Sequence, residues 1–193
     1  ENRHFGKPCG LMDQIACAVG GLVFIDFADP AAPVVKRTDL HLDGYRLCII
    51  RTGGSHADLN EDYASVPAEM KAVAAYFGKS VLREVSEDEL ITAVPALRKK
   101  LGDRAILRAL HFMSENKRVE KALAAAKAGD TDAFLAEINA SGTSSAIALQ
   151  NYFTCKAPAE QGITLAVTLA REIMGGKGAA RVHGGGFAGT AQA

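Results

Sequence analysis

The spacing of apolar residues along the chain predicts strands first, helices in the middle and strands again near the end. Apolar side chains recur at helical spacing over residues 9–20, where a pair of glycines ends the predicted helix. The run L-V-F-I-D-F over residues 22–27 is rich in β-branched and aromatic side chains, which favours a strand. Residues 34–37 and 45–51 are predicted to form two further strands, separated by a turn.

Two helices are predicted to follow these strands. One covers residues 67–77, and its apolar face is formed by Met70, Val73, Ala74 and Phe77. Ser86 is followed three residues later by Glu89, the capping-box pattern, so a short second helix is expected to begin there. Pro95 is interpreted as the boundary of that helix, because proline disfavours helical backbone in the residue before it.

The remainder of the chain is predicted to be mostly helical before two final strands. Helices are expected over residues 103–128, 130–139, 146–153 and 160–174. The polar run S-G-T-S-S at residues 141–145 is interpreted as a hinge that caps the following helix rather than as a phosphate-binding loop. Strands are expected over residues 179–183 and 187–193. This order favours an α+β fold in which helices cover one face of an antiparallel or mixed sheet.

Composition limits the classes of function. The 193 residues allow one domain or one and a half, and the chain starts at Glu1 inside what is expected to be a longer protein. Lys plus Arg and Asp plus Glu both number 22, so no bulk charge attracts nucleic acid or an anionic membrane. No apolar run reaches the about 18 residues of a membrane span.

The four cysteines predict no metal site and no disulfide framework. Cys9, Cys17, Cys48 and Cys155 show neither C-x-x-C spacing nor a zinc-ligand pattern with histidine. A chain of this length builds a core without staples, so we expect reduced thiols in a cytoplasmic protein. A nucleophilic role for Cys9 is disfavoured because no base is placed beside it.

The run C-G-L-M-D-Q at residues 9–14 places one carboxylate near the start of a helix. The helix dipole favours the ionised form of Asp13 by about 0.3–1 kcal/mol. Gly10 leaves room for a ligand to approach the backbone. In a cleft, an anionic carboxylate can accept a proton from a hydroxyl group, but Asp13 as a simple complement to the helix dipole is the alternative.

The run V-H-G-G-G-F-A-G-T at residues 182–190 concentrates glycine. Gly184, Gly185, Gly186 and Gly189 allow the backbone to approach another group closely and to present N–H groups to an anion. The alternative is a tight strand–turn–strand connection that packs on a neighbour. The run matches neither the Walker A pattern nor G-x-G-x-x-G.

A third candidate is the run S-H-A-D-L-N-E-D-Y at residues 55–63, in which Tyr63 is able to hydrogen-bond a sugar hydroxyl. The alternative is a polar loop before a capped helix. No chemistry is assigned to His4, His41 and His111, and Met12 and Met113 are expected in the core.

Together these motifs resemble the C-terminal part of galactokinases, members of the GHMP small-molecule kinase family. The matching runs are C-G-L-M-D-Q, residues 45–63, S-E-N at 114–116, L-Q-N at 149–151 and the glycine-rich run. The resemblance covers nearly the whole chain. It implies a ferredoxin-like C-terminal domain over residues 22–193, preceded by an interdomain cleft segment at residues 1–21 that carries a catalytic aspartate.

The resemblance also implies an activity, the transfer of the γ-phosphate of ATP to the C1 hydroxyl of galactose with Mg²⁺. Asp13 falls on the catalytic base, and Gly10 and Tyr63 fall on positions that contact the sugar. The four glycines of the 184–189 segment fall beside the phosphates. No residue of the chain is assigned as a metal ligand. A GHMP kinase for another sugar and a sugar- and ATP-binding sensor without catalysis are the alternatives.

Some positions depart from the family pattern. Ala188 stands where glycine is common, Thr190 where cysteine is common, and R-T-G-G at residues 51–54 replaces an Asn- and Ser-containing run. The family's sugar-binding first motif and its phosphate loop are not among these residues, and we expect them before Glu1, in an N-terminal domain. Because phosphoryl transfer depends on positioning and charge stabilisation, this chain alone is expected to be inactive.

Overall fold

The structure, a computed structural model, describes residue 4 and residues 10–54 and 59–193. The helices are α1 (Met12–Val19), α2 (Asn60–Tyr76), α3 (Glu87–Leu101), α4 (Asp103–Ala128), α5 (Thr131–Ser144) and α6 (Gly162–Met174), with a 3-10 turn at Leu82–Glu84 and a π turn at Ser145–Leu149. The strands are β1 (Leu22–Asp26), β2 (Val34–Thr38), β3 (Ile49–Arg51), β4 (Arg181–His183) and β5 (Thr190–Gln192). In this part of the chain, no helix has both the length and the apolarity needed to cross a membrane.

The strands form two antiparallel sheets, which confirms the predicted α+β class. β1 and β2 form a hairpin that pairs Leu22 with Thr38. β3, β5 and β4 form a second sheet in that order, with Ala191 between Ile50 and Val182. These strands are shorter than the runs predicted at 45–51, 179–183 and 187–193, although Cys48 and Ala193 exchange two backbone hydrogen bonds beyond the ends of β3 and β5.

The larger core lies among α2, α3 and α4. Its fully buried members include Val73, Leu90, Leu97 and Ala109. The apolar face predicted for α2 is confirmed, since its four members lie in this cluster or pack against it. Burial of each large aliphatic side chain contributes about 1.5–3 kcal/mol to folding. This core fixes α2 relative to α4.

A second core lies between α6 and the three-stranded sheet. Ile163 and Val167 of α6 pack with Val182 of β4 and Ala191 of β5, and all four are buried. Residues 184–189 connect β4 to β5, so this packing fixes both ends of the glycine-rich connection.

Two helix ends follow the sequence signals. Ser86 Oγ accepts a hydrogen bond from the Glu89 N–H, and the Glu89 carboxylate accepts one from the Ser86 N–H, so the predicted capping box is confirmed. Gly129 ends α4, as predicted, in the left-handed conformation with φ of 68°, which glycine adopts without a Cβ penalty.

The helix boundaries assigned to two prolines were wrong. α2 begins at Asn60 and contains Pro67, and α3 continues through Pro95 to Leu101. Proline inside a helix costs about 3 kcal/mol. Leu90 and Leu97 lie on either side of Pro95 and are both fully buried, so their burial at about 1.5–3 kcal/mol each offsets that cost.

The hinge predicted at residues 141–145 was also wrong, as was the helix predicted over 146–153. α5 runs through this segment to Ser144, the π turn follows, and Gln150 ends it with φ of 59°. The small residues serve close packing instead. A Cβ on Gly142 would lie 2.8 Å from Arg171 Nη2 and from Arg181 Cβ, and Ser141 Oγ donates a 2.6 Å hydrogen bond to Glu115.

The two methionines behave differently. Met113 is buried in the larger core, as predicted. Met12 is 58% exposed, so its assignment to the core was wrong. The reason is that α1 has no buried residue and packs chiefly on β1, which leaves its apolar side chains accessible.

Candidate functional site

The glycine loop, residues 184–189, leaves β4 and returns to β5 through a run of left-handed conformations. Positive φ angles occur at Gly184, Gly186, Phe187 and Gly189. Phe187, with φ of 61°, is the unusual member, because this conformation costs a residue with a Cβ about 1–2 kcal/mol. Its ring is buried and its N–H donates a 2.5 Å hydrogen bond to the carbonyl oxygen of Asn151. Strain held in this way is frequent at functional sites.

Tyr63 of α2 packs directly on this loop. Its phenol donates a 2.9 Å hydrogen bond to the carbonyl oxygen of Gly186. Its ring meets the Phe187 ring edge to face, with 5.4 Å between ring centroids. A Cβ on Gly185 would lie 2.9 Å from Tyr63 Cε1, so glycine is needed there for the ring to fit. Burial raises the pKa of the Tyr63 phenol, and the Asp62 charge adds to this, which keeps the phenol a donor.

Asn151, which lies just after the π turn at Ser145–Leu149, also supports the loop. It is buried, and its side-chain amide donates a 3.0 Å hydrogen bond to the carbonyl oxygen of Gly185. A Cβ on Gly186 would overlap the backbone oxygen of Asn151. The run L-Q-N at 149–151 belongs to the family pattern, but no role was predicted for it from the sequence. The sequence held no signal for this role, because residue 151 was placed inside the helix predicted over 146–153 and its contact with the loop spans 34 residues of sequence.

The segment at 51–54 holds the other end of the loop. The N–H and the hydroxyl of Thr52 both donate to the carbonyl oxygen of Gly189, at 2.9 Å and 2.8 Å. A Cβ on Gly54 would lie 3.0 Å from the methyl carbon of Ala188. Two departures from the family pattern are therefore in contact, because the Ala188 methyl occupies space that a side chain at 54 would need.

A cavity of about 310 Å³ lies beside this contact. Its lining includes Gly53, Gly54, Thr154, Glu160, Phe187 and Ala188. The hydroxyl of Thr154 donates a 3.0 Å hydrogen bond to the Asp62 carboxylate, which links the cavity wall to α2. The volume is at the lower end of the range for small-molecule sites, and the lining mixes apolar groups with a few polar ones.

Asp13 lies in the first turn of α1, as the sequence predicted, and it is exposed. Gly10 precedes this helix, and a Cβ built there would meet no atom within 4 Å, so its surroundings are open. The structure thus brings Tyr63 together with Gly185 and Gly186, while Asp13 belongs to a different element. The roles predicted for Asp13, Gly10 and Tyr63 toward a sugar stay predictions.

The described cysteines are not paired in disulfides. Cys17, Cys48 and Cys155 are free and exposed thiols. Cys9 and residues 55–58 lie outside the described residues. Among the residues that the structure does describe, no group of three or more His, Cys, Asp or Glu side chains is arranged to hold a metal ion.

Comparison with known proteins assigns the family. No protein-family model matches the chain. The galactokinase of Glaesserella parasuis is 32% identical over 189 residues, which are 98% of this chain and 47% of that protein. The galactokinase of Streptomyces coelicolor is 32% identical over 196 residues, which cover 99% of this chain and 47% of that protein.

A solved structure agrees in fold. The galactokinase of Lactococcus lactis, determined in complex with galactose, superposes with a TM-score of 0.73 at 24% identity, covering 99% of this chain and 47% of that one. The chain spans about half the length of the relatives that it matches. By sequence and by fold, this chain belongs to the galactokinase family.

Proposed function

We propose that the protein containing this chain transfers the γ-phosphate of ATP to the C1 hydroxyl of galactose. Curated relatives named galactokinase match 98% of the chain, and a structural neighbour was solved with galactose. The observation that carries the proposal is the hydrogen bond from Tyr63 to Gly186, since it joins two of the motifs on which the family resemblance rests.

Asp13 is assigned the role of base. It would accept the C1 hydroxyl proton of the sugar, or hold the attacking oxygen in line with the phosphate. Its exposed position in the first turn of α1 is compatible with this role, because the carboxylate is accessible to a substrate hydroxyl. A positioned base typically contributes about 10²–10⁴-fold to the rate.

Gly10 and Tyr63 are assigned to sugar binding, and the glycine loop is assigned to the region beside the phosphates. Because the Tyr63 phenol is hydrogen-bonded to Gly186, the predicted sugar contact and the loop share one support. A shift of α2 would therefore misplace both groups. Phosphoryl transfer is sensitive to such shifts, since its catalysis consists largely of positioning and charge stabilisation.

ATP and Mg²⁺ are assigned mainly to parts of the protein outside this chain. The described residues contain no cluster of three or more His, Cys, Asp or Glu side chains that could hold a metal ion. In the glycine loop, the Phe187 N–H already donates to the carbonyl oxygen of Asn151, so this donor is not available to a phosphate. We infer that an N-terminal domain supplies the nucleotide site. We also infer that the protein works in the cytoplasm, without a nucleic-acid or membrane partner.

The test is ADP release by the full-length protein, coupled to a spectrophotometric reaction, with galactose as the acceptor. Glucose, mannose and N-acetylgalactosamine serve as comparison acceptors in the same assay. Galactose-dependent turnover well above the rate with the other sugars supports the proposal. Binding of galactose and ATP without ADP release would identify a sensor instead. Turnover on a different sugar alone would identify another kinase of the family.

A further inference from the structure

Arg108 of α4 is a buried cation with three partners. Only 1% of its surface is exposed, the lowest value for any charged residue among those described. Its Nη1 donates to Ser65 Oγ at 2.8 Å and to Glu69 Oε2 at 2.9 Å. Its Nε donates to the carbonyl oxygen of Leu149 at 3.1 Å. Burying a cation is costly, so these bonds must compensate the lost hydration.

Two of these partners lead directly to the supports of the glycine loop. Leu149 ends the π turn and stands two residues before Asn151, which bonds Gly185 and Phe187 of the loop. Ser65 stands two residues after Tyr63, which bonds Gly186. Arg108 therefore joins the two segments that hold the loop, one on each side.

Neutralising Glu69 does not by itself require Arg108. Arg104, one turn earlier on α4, binds the same carboxylate through Nε at 3.0 Å and through Nη2 at 2.5 Å. The distinctive contribution of Arg108 is its reach to Ser65 and Leu149 in different directions. A guanidinium fork can make both bonds at once, whereas the single ammonium group of lysine cannot replace that geometry.

We propose that Arg108 is a positioning residue that sets the glycine loop by fixing Tyr63 through Ser65 and Asn151 through Leu149. The structural part of this proposal stands on the geometry alone. Its consequence for turnover rests on the proposed galactose kinase activity.

The first test is hydrogen–deuterium exchange of the full-length protein, followed by mass spectrometry of the peptide containing residues 184–189. In Arg108→Lys, exchange at the loop is expected to accelerate about tenfold or more, since charge-assisted bonds to its supports are lost. Arg104→Lys is the matched control, because it alters the same carboxylate without touching Ser65 or Leu149, and its loop exchange should stay within about twofold of wild type. Unchanged exchange in Arg108→Lys, or equal acceleration in both variants, overturns the proposal.

If Arg108→Lys does not fold, Ser65→Ala decides the same question, because it removes one arm of the connection. Faster exchange at residues 184–189 supports the proposal, and wild-type exchange overturns it.

The second test is kinetic. With galactose and ATP, Arg108→Lys should lower kcat about tenfold or more while KM for galactose changes less, because misplacement near the reacting groups mainly affects the transition state. Combining Arg108→Lys with Asn151→Ala should give less than the product of the two single effects, as expected for residues that act through each other. Multiplicative effects would overturn the connection through Asn151. An inactive wild-type protein would refute the proposed kinase activity, and the exchange experiment would still decide the role of Arg108.

Discussion

The hydroxyl of Tyr63 donates a 2.9 Å hydrogen bond to the carbonyl oxygen of Gly186, across 123 residues of sequence. The ring of Tyr63 also fills the space that a side chain on Gly185 would need. The glycines of the loop thus serve the fit of an aromatic side chain, and the phenol fixes the loop in return.

Tyr63→Phe should separate the hydroxyl from the ring. The edge-to-face contact with Phe187 remains, while the Gly186 carbonyl loses its donor. We expect the free energy of unfolding, measured by urea denaturation, to fall by about 0.5–1.5 kcal/mol. Tyr76→Phe, on an exposed tyrosine at the end of the same helix, is the control and should change stability less. An equal effect of the two substitutions would contradict a structural role for this bond.

Gly186→Ala and Gly184→Ala should differ in cost although both glycines have positive φ. A Cβ on Gly186, at φ of 82°, overlaps the backbone of Asn151, whereas a Cβ on Gly184, at φ of 74°, meets nothing within 4 Å. We expect Gly184→Ala to destabilise by about 1–2 kcal/mol, the cost of the left-handed backbone. Gly186→Ala should lower the free energy of unfolding by about 1–3 kcal/mol more, because its Cβ clashes with Asn151. Thermal unfolding midpoints would measure this order, and a reversed order would contradict the described packing.

The sequence was most informative where a local pattern has a local cause. The capping box at Ser86 and the glycine end of α4 need only neighbouring backbone groups, so they could be predicted. The segment at 141–145 has a non-local cause, because Gly142 is small to admit Arg171 and Arg181. Glycine and serine there suggested flexibility when they actually permit close packing.

The sequence motifs indicated Tyr63 and the glycine loop as candidates, but they did not indicate the residues that hold them in place. Tyr63 and the glycine loop were both singled out, and the structure places them in contact. Arg108 was missed, because arginine is almost always exposed and its three partners lie far from it in sequence. Asn151 was noted without a function, since only the fold shows that it meets the loop.

His111 should make stability depend on pH. The side chain is buried, and its Nδ1 lies 2.9 Å from Ser144 Oγ. Burial lowers the pKa of His111 from its ordinary 6.5; Arg118 and Arg181 lower it further, while Glu115 opposes them. As the pH falls below 6.5, the unfolded chain therefore takes up a proton before the folded chain does.

The free energy of unfolding should consequently fall with pH below 6.5, by at most about 1.4 kcal/mol for each pH unit from this group. Urea denaturation at pH 7.5, 6.5 and 5.5 would measure it. His111→Gln should flatten the curve, because glutamine does not titrate in this range. An unaltered slope in His111→Gln would show that other groups cause the dependence.

Asp13→Asn tests the assignment of the base in the full-length protein. The side chain is exposed and α1 buries no residue, so the substitution should leave the unfolding midpoint nearly unchanged. Loss of a proton acceptor at the reacting hydroxyl should lower kcat for galactose about 10²-fold or more. Asp88→Asn is the matched control, because Asp88 is also an exposed carboxylate in the first turn of a helix, α3. It removes the same dipole complement and should keep wild-type turnover. ADP release by Asp13→Asn at the rate of Asp88→Asn would mean that Asp13 only complements its helix, and the base would have to be sought elsewhere.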